Sequence, residues 1–214
     1  MTGDKPAVER VPLFADEPKL RKRRLWSGVS GVLIVAAGFG GIVGLLGGQL
    51  AGLIVAAVVG LPLVYVVLYA YRRRIWLEGT TLVVRTWGTQ RMDLLEVPQM
   101  DVVISDVRGN RTVSLLMNVP RRRRAVKIDL AVFSGTGGRE LGALQLRRLA
   151  DAVLNNTEAN GLVFSELLVA ELRAEARGDA MAERPLYRLA SAAPAGKYLQ
   201  RFPMEAVSRF VAAL

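Results

Sequence analysis

The 214-residue chain contains no cysteine and no histidine. The first absence excludes disulfides and thiolate chemistry, and it fits a reducing compartment. The second removes the usual general base and the commonest metal ligand. A third absence is local. Between Leu25 and Tyr71 there is no Lys, Arg, Asp or Glu, and Gln49 is the only amide. A bilayer core of roughly 30 Å takes about 20 apolar residues per helical span, so this run holds about two spans. Gly47-Gly48-Gln49 interrupts it, and the expectation is a transmembrane helical hairpin, with spans near Trp26–Leu46 and Leu50–Tyr71. A cleaved signal peptide fits poorly, because the apolar run continues past any small-residue cleavage site into a second span.

What is present is positive charge, and it is clustered. The net charge of +10 is accounted for by Arg21-Lys22-Arg23-Arg24, Arg72-Arg73-Arg74 and Arg121-Arg122-Arg123-Arg124, which leaves the rest close to neutral. Two clusters abut the ends of the apolar run and the turn between the spans is uncharged, which is the positive-inside pattern. It predicts a plasma-membrane protein with two spans, both termini in the cytoplasm and only the turn outside. Nucleic-acid binders more often spread basic residues over a face interleaved with aromatics, so no nucleic-acid partner is expected.

Four segments are expected. Residues 1–20 read as a disordered cytoplasmic tail with an apolar patch at Val11-Pro12-Leu13-Phe14. Residues 21–74 form the hairpin with its basic flanks. Within it Gly40, Gly44 and Gly48 recur every fourth position, with Ala36 one step earlier, and small residues at that spacing let helix backbones approach closely. The stripe receives either the second span or a helix of another membrane protein. No ionisable group lies within the spans, which disfavours transport or ion conduction.

Residues 75–156 change to a period of two. Short strands are expected at Ile75–Glu78, Thr81–Thr86, Gln90–Leu94, Val102–Ser105 and Arg111–Met117, and across Val126, Ile128, Leu130 and Val132. Turns fall at Gly79-Thr80, Trp87-Gly88-Thr89 and Arg108-Gly109-Asn110. Ser134–Gly138 reads as a flexible loop before a helix over Arg139–Leu154, with Leu141, Leu144, Leu149 and Val153 on one stripe. The fold class is therefore α+β with transmembrane helices, a small antiparallel sheet or barrel following the hairpin. Residues 157–214 are expected to be a helical extension: one helix near Leu162–Arg177, with Glu171 and Glu175 outward, and a short amphipathic one over Pro203–Leu214.

The run Ile75-Trp76-Leu77-Glu78-Gly79-Thr80-Thr81-Leu82-Val83-Val84-Arg85, placed after a membrane hairpin and a basic stop, resembles bacterial membrane proteins that join a pleckstrin-homology-like domain to two transmembrane helices. The resemblance covers about Arg72 to Asn155. It implies a non-enzymatic module for assembly or regulation at a membrane, and it supplies no site residues.

Catalysis is not expected. Lys127 alternates outward on its strand, Lys197 lies in the tail, and Asp101, Asp106 and Asp129 show no pairing that sets two apart as acid and base. No cofactor or metal is expected. The glycines of Ser134–Gly138 lack the Lys-Ser/Thr pair of a phosphate-binding loop. The remaining candidates are Arg121, Arg122, Arg123 and Arg124, facing anionic lipid head groups or an acidic partner, and the Gly40/Gly44/Gly48 stripe. The expected function is a membrane-anchored adaptor or regulatory subunit, able to form homo-oligomers. The alternative is an anionic-phospholipid-binding module that uses the arginine cluster.

Overall fold

The computed structural model describes residues 10–13, 18–118, 125–135, 137–194 and 198–214. Its elements run β1 (Arg10–Pro12), α1 (Pro18–Gly47), α2 (Gln49–Arg72), β2 (Arg74–Glu78), β3 (Thr81–Arg85), β4 (Thr89–Asp93), β5 (Gln99–Val107), β6 (Asn110–Asn118), β7 (Val126–Ser134), β8 (Gly137–Glu140), α3 (Ala143–Leu154), α4 (Gly161–Arg177), α5 (Pro185–Ala192), β9 (Gln200–Phe202) and α6 (Met204–Ala212). The strands form two antiparallel sheets, ordered β1-β2-β3-β4 and β8-β7-β6-β5-β9. Among the described residues neither sheet closes into a barrel.

Two compact units divide the chain. One holds Asp16–Arg74 with Val84–Thr89, and the other holds Ile75–Val83 and Gln90–Leu214 with the segment that precedes the helices.

In the helical unit, α1 and α2 reverse at Gly48, whose backbone (φ 90°, ψ 163°) is open essentially to glycine alone. Along α1 the inner stripe is Gly28, Val32, Ala36, Gly40 and Gly44. A Cβ on Gly40 would lie 2.8 Å from the Gly52 carbonyl, and one on Gly52 would lie 2.7 Å from Gly44 Cα. The two backbones touch where the small residues meet. Helix α2 continues through Pro62.

The β-rich unit begins earlier than the sequence suggests. Arg10–Pro12 is not part of a disordered tail. It pairs antiparallel with β2, Val11 opposite Leu77, and Leu13 N–H donates to the Ile75 carbonyl at 3.0 Å. Val11 and Leu13 are buried while Pro12 faces out, an alternation suited to an edge strand, where proline costs no ladder bond. The apolar patch thus docks on its own domain, and Phe14 lies outside the described residues.

Strands β5 and β6, nine residues each, form a hairpin around Arg108-Gly109, both at positive φ (53° and 79°) as a two-residue reversal of this hand requires. Their inward faces supply Val102, Ile104, Val113, Leu115 and Met117 to the core, with Ile128, Leu130 and Phe133 from β7. Helices α3 and α4 add Leu146, Leu149, Val153, Phe164, Leu167 and Leu168.

Three further expectations change. The glycines after Ser134 belong to the β7–β8 hairpin, with Thr136 outside the described residues. A Cβ on Gly138 would meet the Phe133 ring at 2.6 Å, so glycine there lets β8 lie close against β7. Helix α3 starts at Ala143, and Leu144 is exposed while Leu146 is buried. Residues 157–214 pack within the β-rich unit, β9 extending the second sheet by pairing with β5.

Candidate functional site

The surface of the hairpin is its most unusual feature. Leu25–Gly47 and Gln49–Arg72 are long and apolar enough to cross a membrane, with 23 and 24 residues. Only 11% of the most apolar window in each is buried. Trp26, Ile34, Ile42, Leu45, Leu53 and Leu61 are all more than half exposed. A core helix of a soluble domain encloses such residues, whereas these two are apolar around their circumference, as a helix surrounded by lipid is.

The stripe named from the sequence separates into two roles. Gly40 and Gly44 are taken up in contact with Gly52 and Ala56 of α2. Gly48 is the turn residue, and a Cβ there meets nothing within 4 Å. The same backbone contact leaves a shallow apolar recess beside it, lined by Ala37, Gly41 and Leu53 among others.

Near the basic end of α2 lies a group that sequence reasoning passed over. The β3–β4 turn carries Trp87, and its ring stacks on Tyr65 with centroids 5.7 Å apart and planes within 4°. The Arg72 guanidinium sits 4.7 Å from the Trp87 ring centre. Trp87 remains 53% exposed even so. The turn itself is closed by Thr86 N–H donating to the Gly88 carbonyl at 2.9 Å. A tryptophan beside Gly-Thr reads as an ordinary turn, and only the tertiary pairing with Tyr65 sets it apart.

In the β-rich unit, the four arginines 121–124 fall between β6 and β7, outside the described residues. Lys127 and Asp129 pair with each other at 3.3 Å, and Asp129 also accepts from the buried Ser114 hydroxyl at 2.8 Å. Asp101 faces Arg201 at 3.9 Å and Asp106 faces Arg111 at 3.6 Å. These carboxylates are spent on local ion pairs. Among the described residues no group of three or more His, Cys, Asp or Glu gathers where a metal ion would sit.

Two buried polar centres organise this unit. Asn156, in the α3–α4 connection, is 1% exposed and fully bonded. Its Nδ2 donates to the carbonyls of Leu94 (2.6 Å) and Val97 (2.8 Å), and its Oδ1 accepts from Ala159 N–H at 2.7 Å.

The second centre is Glu171, which is not outward but completely buried. Oε2 accepts from Leu186 N–H at 2.7 Å, at the start of α5. Burial pushes its carboxyl up to about 7, the Leu186 N–H opposes that, the neighbouring Glu140 carboxylate adds to it and Arg184 offsets part. Glu140 Oε2 accepts from Arg184 Nη1 at 2.7 Å. The second oxygens of Glu140 and Glu171 have no donor among the described residues, and the two carboxyls are near enough to share a proton. The signal in the sequence was position: Glu171 continues the inward stripe Phe164, Leu167, Leu168 and Ala174, at steps of three and four.

No family model, curated protein or solved structure matches the chain.

Proposed function

We propose that the protein is a membrane-anchored, non-catalytic module. The α1–α2 hairpin lies in the bilayer, and the β-rich unit, pleckstrin-homology-like in type, serves on the cytoplasmic side as an adaptor or subunit of a membrane complex. The observation that carries this reading is the pairing of β1 with β2 around a hairpin whose large apolar side chains are exposed. The chain leaves the β-rich unit after β1 and rejoins it at β2, so both ends of the hairpin belong on one side of the membrane. The basic clusters Arg21–Arg24 and Arg72–Arg74 favour the cytoplasm as that side. With Gly40 and Gly44 engaged by α2, the partner-facing surface moves to the lipid-exposed outer faces of the hairpin and to the β-rich unit.

The alternative reading rests on the arginines 121–124, each worth about 1 kcal/mol near an anionic leaflet. One experiment separates the two. Membranes are solubilised in mild detergent and the full chain is followed by native electrophoresis. The adaptor reading expects migration with a second membrane protein, unchanged when the four arginines become serine. Migration as the lone chain, with anionic lipid that disappears in the serine variant, contradicts it and selects the lipid reading.

A further inference from the structure

The turn 84–89 clusters with the helices rather than with the rest of its sheet. Three observations within this helical unit bear on what its tip touches. The Trp87 ring lies flat on Tyr65, Arg72 covers it from the basic end of α2, and half of the indole is still uncovered. Tyr65 lies seven residues before Arg72, so at about 1.5 Å per residue the stacked pair sits about 10 Å from the basic end towards the middle of α2. Its neighbours on α2, Leu61 and Val66, are exposed apolar residues. The surface around Trp87 therefore continues that of the apolar hairpin.

We propose that the Trp87 turn is a third membrane-contacting element, which inserts its indole into the head-group and upper acyl region of the cytoplasmic leaflet beside the hairpin. The occupant is phospholipid. Indole is amphipathic and favours this layer, and the Arg72 guanidinium over the ring sets a cation beside it at the basic end of α2, where phosphates lie. Arg85, exposed two residues before Trp87, offers a second cation at the same level. The consequence is orientational, since a turn held in the leaflet restricts rotation of the sheet to which it is joined. This inference rests on the hairpin lying in the bilayer, and the test keeps the two apart.

The chain contains three tryptophans, at positions 26, 76 and 87. Two full-length variants are reconstituted into phosphatidylcholine–phosphatidylglycerol vesicles carrying brominated acyl chains, with one indole retained in each: W26F/W76F keeps Trp87, and W76F/W87F keeps Trp26. Trp87 fluorescence is expected to fall at least twofold with bromine near the head group, less with bromine near the chain ends, and to resist aqueous iodide. Quenching of Trp26 by lipid, together with a Trp87 open to iodide and untouched by bromine, overturns the inference and leaves the hairpin reading standing. If neither indole is quenched by lipid, both fall.

Discussion

Replacing Asn156 by alanine is expected to cost the β-rich unit roughly 3 to 9 kcal/mol, because three buried backbone groups lose their partner at about 1–3 kcal/mol each. Those groups are the carbonyls of Leu94 and Val97, in the crossing from the first sheet to the second, and the N–H of Ala159, before α4. One amide thus holds the inter-sheet crossing to the α3–α4 connection. Its surroundings leave no room for adjustment. A Cβ on Gly161 would overlap the Val153 carbonyl, and Gly161 N–H itself donates to the Asn156 carbonyl at 2.8 Å. Typical domains have only about 5–15 kcal/mol of stability in all. The change should therefore appear as a large drop in the denaturant midpoint of the detergent-solubilised protein. A loss below about 1 kcal/mol would mean that these groups are satisfied some other way.

The second large effect is a dependence on pH that runs opposite to ordinary acid denaturation. Glu171 has its proton held up to about 7 in the folded state, against a usual value of 4.5. Below 4.5 the carboxyl is protonated whether the chain is folded or not, and its stabilisation is complete. Between 4.5 and 7 the unfolded chain releases the proton and the folded one retains it, so stability falls as pH rises. Above 7 the contribution is gone. The shift corresponds to ~3 kcal/mol at 1.36 kcal/mol per pH unit.

The groups facing Glu171 are Glu140 on β8 and Arg184 just before α5. The charged residues of the packed helices, Arg147, Arg148 and Asp151 on α3, Arg188 on α5 and Glu205 and Arg209 on α6, are exposed, with Arg188 over the Phe210 ring. Glu78 acts the other way and in a different window. The Trp76 indole N–H first, then Arg10 and Arg91, lower its carboxyl below the usual value, so its contribution is lost only as pH falls below 4.5. Thermal unfolding between pH 5 and pH 8 should show a falling midpoint for the native chain. E171Q should show a nearly flat profile, since glutamine still accepts from Leu186 N–H and donates to Glu140 at any pH. A midpoint that rises across this range, or a slope preserved in E171Q, would contradict the shared-proton account.

Both effects sit where the sequence was hardest to read. The hairpin was legible because a long run without charge has few other solutions, and β6 and β7 as far as Leu130 because their apolar residues alternate. Strand β5 was legible only over Val102–Ser105 of its nine residues, and past Leu130, where the pairing with β6 shifts, Ala131 rather than Val132 is buried. Strand β1 was not. Three residues carry little periodicity, and its partner Ile75–Glu78 lies beyond the whole hairpin. Strands β8 and β9, Gly-Gly-Arg-Glu and Gln-Arg-Phe, have no apolar alternation and exist through pairing with β7 and β5. Helix α5 was not expected either, although Pro185 in its first turn is a helix-start signal that the sequence carries. Glu171 was misread because charge was weighed above its place on the stripe. Trp87 required the Tyr65 contact, which no local pattern encodes.

The central claim is that α1 and α2 cross the membrane and return the chain to the side it left. The absence of native cysteine makes one labelling experiment decisive. A cysteine replaces Gln49 at the turn in one variant and exposed Glu175 on α4 in another, and intact cells are treated with a membrane-impermeant maleimide. The account predicts labelling at 49 in intact cells, and at 175 only after lysis. Labelling at 175 with protection at 49 would reverse the orientation, and labelling of neither or both in intact cells would contradict the spanning hairpin itself.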